Sequence, residues 1–182
     1  MNQPAIQYQN RLSALAEAQT FSLTEEGLSN NHALWTFDKI NRVQLKYTPS
    51  RYQGGIYQCE VSSIHGQMKI SNRTYLSPVN FEFQNEEYVS FVEMLHERLS
   101  SHRGIEFRSG YSVFRFYAEL LSMLLLVLLV IYLSLAFDGL TIGLIVFVLL
   151  ALRLVPYFRK NRPQPYEPTA IPKYLLPPVN KY

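Results

Sequence analysis

Residues 120–155 read LLSMLLLVLLVIYLSLAFDGLTIGLIVFVLLALRLV, and the rest of the chain takes its place from them. One acid, Asp138, and one base, Arg153, interrupt the apolar run. Residues 120–137 carry no charge and include thirteen Leu, Ile, Val or Phe. Each such residue favours insertion by roughly 0.3–0.6 kcal/mol at the centre of a spanning helix, so the sum is several kcal/mol. Residues 140–152 form a shorter second run, which Arg153 extends by snorkelling and residues 154–158 lengthen. A single helix over 111–158 would far exceed the ~30 Å hydrocarbon core of a bilayer. Two spans are therefore expected, 113–137 and 139–158, with a turn at Asp138-Gly139 and Asp138 capping the second helix.

The flanking charges set an orientation. Arg103, Arg108 and Arg115 precede the first run, and Arg153, Arg159, Lys160 and Arg162 follow the second. Between the runs lies only Asp138. Bases at both ends and none in the middle fit a transmembrane hairpin with both ends cytoplasmic. Arg115, Arg153, Arg159 and Lys160 are the expected interface anchors. Gly139-x-x-x-Gly143 is a small-xxx-small contact, expected to pack within the hairpin, with homodimerisation as the alternative.

Outside this stretch the charge is even. Residues 1–110 carry ten Lys/Arg and eleven Asp/Glu, which argues against bulk nucleic-acid binding. The single cysteine, Cys59, excludes an internal disulfide framework and a Cys-rich metal site. The N-terminus lacks the basic and long apolar regions of a signal peptide.

Residues 1–18 form an N-terminal segment with a short amphipathic helix expected over 11–18. Residues 19–110 read as one domain. TFSLTEEGL is a strand and turn, and HALWTF and DKINRVQLKY follow with a period near two. Ile40, Val43, Leu45 and Tyr47 share one face, with a phase slip at Asn41 that suggests a bulge. TPSRYQGG is a loop, GIYQCEVSSI a strand, HGQ a turn, and MKISNRTYL a bent strand or strand pair. Tyr88, Phe91, Val92, Leu95 and Leu99 recur at helical spacing, behind Asn85 as cap and before the stop signal Arg103-Gly104. IEFRSGYSVF supplies a short final strand. The expected fold is an α+β roll or partly open barrel capped by one helix. Residues 159–182 are a basic tail whose last 21 residues hold six prolines, expected as polyproline II or disorder.

Candidate site residues are few. Arg42, Lys46, Arg51, Lys69 and Arg73 lie on or near predicted strands, where a domain beside an anionic leaflet can use them on lipid head groups. An ordinary solvated sheet face is the competing reading. Glu93-x-x-His96 has di-metal spacing but lacks the second copy, so both residues are expected at the helix surface. His32, His65, His96 and His102 show no ligand spacing, and Cys59 reads as a small core residue. No motif for a catalytic, metal or cofactor site is present.

The order of strands, WTFDKINRVQLKY, further strands, the EEYVSFVEMLHERL helix and a membrane hairpin resembles bacterial membrane proteins with a pleckstrin-homology-like domain. The likeness rests on residues 20–104, above all on the alternation from Trp35 to Val43. Here the hairpin follows the domain instead of preceding it, and the strands are few for the full seven. The resemblance implies a small β-barrel with a capping helix beside the inner membrane, and no catalytic residue. Two functions are then expected. One is a non-enzymatic, multi-pass inner-membrane protein presenting a cytoplasmic module to lipid or a protein partner. The other is an accessory subunit of a membrane complex, with hairpin and tail packed on partner chains. An unrecognised membrane enzyme ranks third.

Overall fold

Two strand meanders and one helix form the first of two compact units, Met1–Ser109 with Gln164–Tyr182. The computed structural model describes residues 6–50, 55–136 and 140–179, with backbone alone at 140–142 and 153. Strands β1 (Ile6–Asn10), β2 (Gln19–Leu23), β3 (Gly27–Ser29) and β4 (Leu34–Thr36) pair antiparallel in that order. They bury Tyr8, Phe21, Leu23, Leu28 and Trp35. Gly27 lies so close to β4 that a Cβ there would overlap the Trp35 carbonyl oxygen.

A 3-10 turn at Phe37–Lys39 leads into β5 (Ile40–Thr48), β6 (Ile56–Ser63) and β7 (Gly66–Ser71). The β5–β6 register shifts between Ile40 and Arg42, so Asn41 is the extra residue that the phase slip required. Strands β8 (Arg73–Tyr75) and β9 (Phe81–Phe83) make a separate two-stranded hairpin. Asn72 divides β7 from β8: its buried side chain accepts from the Tyr57 amide and donates to the Gly55 carbonyl.

Helix α1 (Asn85–Ser100) lays Tyr88, Phe91, Val92, Leu95 and Leu99 on the core. Two expectations for it are corrected. Gln84, not Asn85, is the N-cap and makes no side-chain capping bond; the Asn85 Oδ1, expected to cap, accepts from Asn72 Nδ2. His96, expected at the surface, is buried within the apolar stripe.

Strand β10 (Glu106–Ser109) then pairs parallel with β5, and β11 (Gln164–Pro165) pairs antiparallel with β10. The second sheet has the order β11-β10-β5-β6-β7. The unit is α+β with open sheets; among the described residues neither sheet closes into a barrel.

Both ends of the chain depart from expectation. Residues 6–10 are strand, and no helix forms over 11–18. Tyr8 donates from its hydroxyl to the Ser71 carbonyl, and the Arg11 guanidinium donates to the Ala14 and Ala16 carbonyls, which holds that segment in turns. The tail is neither free nor wholly polyproline. Tyr166 donates its amide to the Phe107 carbonyl, and a 3-10 turn at Lys173–Leu175 inserts Leu175, fully buried, into the core.

The second unit is Gly110–Pro163. Helix α2 (Val113–Ala136) has 24 residues, about 36 Å at 1.5 Å per residue, and buries none of them. It is the one helix among the described residues long and apolar enough to cross a membrane. Helix α3 (Leu140–Asn161) continues through Pro156, three residues past the expected end. The expected turn, Asp138-Gly139, lies outside the described residues. The helices pack on each other through Phe116 and Phe158, with ring centroids 5.6 Å apart, and through Tyr157 and Glu119. Gly143 faces Ser134 so closely that a Cβ would overlap its hydroxyl.

Candidate functional site

Strand alternation in the second sheet sends Val43, Leu45, Cys59, Val61, Met68, Ile70 and Phe107 into the core. The residues between them turn to the other face. Register sets Glu106, Arg42, Ser62 and Gln67 in one row across β10, β5, β6 and β7. Arg108, Gln44, Glu60 and Lys69 form the next. This outer face therefore gathers Arg42, Lys46 and Lys69 of the expected cations and adds Arg108, which strand alternation in EFRS would have revealed once β10 was paired.

The face is charge-rich rather than uniformly basic. Arg42 Nε and Arg108 Nε both lie 3.2 Å from Glu106 Oε2, with side chains about half exposed. Exposed pairs of this kind contribute about 0–1 kcal/mol. Lys46 pairs with Glu60 where both side chains are mostly shielded. Four cations stand against two acids, a surplus of two positive charges. Among the described residues, the field of this face is therefore net positive.

The other expected cations separate from this set. Arg73 lies on the β8–β9 hairpin, its guanidinium 4.7 Å from the Tyr75 ring centroid and 5.3 Å from that of Phe81. Arg51 lies outside the described residues. In the second unit, Arg115 Nε lies 2.9 Å from Glu119 Oε1, and its guanidinium sits 4.1 Å from the Tyr111 ring centroid. The Tyr157 hydroxyl donates to Glu119 Oε2 at 2.6 Å. Arg159 is exposed and Lys160 half-buried; the side chain of Arg153 and all of Gly139 lie outside the described residues.

A buried polar cluster joins the tail to α1. His96 Nδ1 is 2.7 Å from the Val92 carbonyl oxygen, and Nε2 is 2.7 Å from the Tyr166 hydroxyl. A carbonyl only accepts, so Nδ1 carries the proton and Nε2 accepts from Tyr166. Burial lowers the His96 pKa to about 4, partly offset by the Val92 carbonyl, so the ring is neutral at pH 7. Burial pushes the Cys59 thiol up, with the Glu60 carboxylate adding to it, and the thiol stays protonated. Among the described residues no three His, Cys, Asp or Glu come together as metal ligands. No protein-family model, no curated protein and no solved structure matches this chain.

Proposed function

We propose that this chain is a membrane-anchored interaction protein. In this reading α2 and α3 are a transmembrane hairpin, and the first unit is a pleckstrin-homology-like module on the cytoplasmic side of a bacterial inner membrane. Its cation-rich sheet face docks on an anionic lipid surface. The observation that carries the reading is α2, 24 residues long, uncharged over residues 120–136 and with none of its residues buried. In water such a surface is far beyond the few hundred Å² that monomers expose.

Two further features support it. Ser109 and Gln164 are register partners in the first unit, so residues 110–163 leave and return at neighbouring points. A segment so tethered makes an even number of crossings, and flanking arginines favour the cytoplasm for its ends. The likeness to pleckstrin-homology-like modules is supported by the antiparallel strands β1 to β7, in meanders of four and three, followed by α1.

A second reading, an accessory subunit of a membrane complex, is favoured by the β8–β9 apex, where Leu76 and Val79 are 54% and 93% exposed. Carbonate washing of membranes tests the anchor, and cysteine labelling at position 138 tests the hairpin. Labelling from the cytoplasm would overturn it. Vesicle binding by the full chain tests docking: an Arg42→Gln, Lys69→Gln variant that binds anionic vesicles unchanged removes the sheet face from the proposal. Purification in mild detergent separates the readings, since a stoichiometric companion favours the subunit.

A further inference from the structure

We propose that the groove between α1 and the returning tail takes an arginine of a partner protein, set between apolar residues in an extended segment. The groove has a volume of about 480 Å³ and lies wholly within the first unit, so the inference does not depend on the membrane reading. That size falls in the ~300–1,000 Å³ range of pockets that take a small ligand. One wall is helical: Glu93 and Glu97 stand one turn apart on the exposed side of α1. The other wall is the tail. The Ala170 amide donates to the Glu167 carbonyl, and the 3-10 turn that follows drives Leu175 into the core. These two turns set Pro168, Ile171 and Leu176 along the groove, with Lys173 beside them. Ile171 and Leu176 also pack partly against the core, which fixes the wall in place.

Charge and apolar surface together select the occupant. Like charges four residues apart oppose helix formation. Among the described residues no ion pair relieves Glu93 or Glu97, and Lys173 makes none either. The lining therefore sets two carboxylates against one ammonium and is one cation short of neutral. Carboxylates one turn apart, with Cβ atoms about 5–6 Å from each other, suit a planar guanidinium, whose separate N–H donors reach both. An ammonium is a single point of charge. An arginine also lays its methylene stem on apolar surface, which Pro168, Ile171 and Leu176 supply. A metal ion would use the acids and leave that wall bare.

The test uses the full chain in neutral detergent, titrated to millimolar peptide and read by microscale thermophoresis. The probe is the peptide Ala-Val-Arg-Val-Ala, blocked at both ends. A twin with citrulline in place of arginine keeps the shape and removes the charge. An exposed ion pair contributes up to about fivefold, so losing both should weaken binding roughly 5- to 25-fold, whether by the citrulline twin or by Glu93→Gln with Glu97→Gln. Binding should also weaken at high salt. Glu86→Gln with Glu87→Gln removes the same charge from the first turn of the same helix and should leave binding unchanged. Equal binding of the two peptides by the unaltered chain overturns the inference, as does a loss equal in both variants. Arginine amide bound as tightly as the peptide, or no binding up to millimolar peptide, overturns it too.

Discussion

Replacing Leu175 with Ala tests whether the tail is part of the core of the first unit. The side chain is fully buried, on a 3-10 turn that packs against β5. Removing three carbons forfeits roughly 2.4 kcal/mol at ~0.8 kcal/mol per buried carbon. A residual cavity of some tens of Å³ adds roughly 1 kcal/mol at ~24 cal/mol per Å³. The expected loss is about 3 kcal/mol, within the 2–5 kcal/mol range of buried Leu→Ala changes. For a unit of this size that lowers Tm by roughly 10–15 °C. The assay is thermal unfolding of the full chain in detergent, followed by fluorescence of Trp35. That is the chain's one tryptophan, and it lies in the same core. Tyr174→Ser, on a side chain 40% exposed, is the control and should shift Tm by only a few degrees. Equal Tm values for L175A and the wild type would refute the reasoning, since no core residue loses three carbons without cost.

Other expectations follow from the polar contacts. His96 has a folded-state pKa of about 4 against 6.5 unfolded, so the unfolded chain binds the extra proton first. Stability is full above pH 6.5 and falls towards pH 4 by about 3 kcal/mol; His96→Gln should flatten that slope in a pH series of unfolding curves. Lys46→Met strands the Glu60 carboxylate and should cost about 1–3 kcal/mol by thermal unfolding, with Glu60→Leu added recovering part of the loss. In the second unit, a double-mutant cycle on Glu119→Gln and Tyr157→Phe should give a coupling of about 0.6–1.7 kcal/mol. Zero coupling would mean the bond does not hold the two helices together.

Local signals were legible in the sequence where a period survives over several turns. The α1 stripe is one case, since five large apolar residues fall on one face. The Asn41 bulge is another, because a one-residue slip reverses every later side chain in β5. The same helical period places His96 four residues after Val92 and three before Leu99, inside the stripe. Its polarity hid it, although a neutral imidazole with both nitrogens bonded is an acceptable core group. Strand β1 escaped notice because one of its two buried residues is Asn10, so apolar alternation fails over five residues. Parallel pairing of β10 with β5 joins residues 64 apart, such as Glu106 and Arg42, and leaves no local trace. The cation set was only partly readable for that reason: Arg108 reaches the outer face through a long-range pairing.

The tail was least legible, because Tyr166, Ile171 and Leu175 stand isolated among prolines and carry no period. Their burial bears on the order of assembly. The core holding Leu28, Val43 and Leu95 also holds Leu175, so it cannot close until that residue has been made. By then residues 113–161, both helices, have already been synthesised. On the membrane reading proposed above, insertion precedes completion of the soluble unit. Ending the chain after Pro163 should therefore leave the helices insertable but the unit unfinished. It would lack the β11 edge on β10, the Tyr166 bond to His96 and the Leu175 plug. Such a chain should remain in carbonate-washed membranes while its soluble part is cut by protease at concentrations that leave the full chain intact. Equal protease resistance would show that the core closes without its last strand, and that the tail only rests upon it.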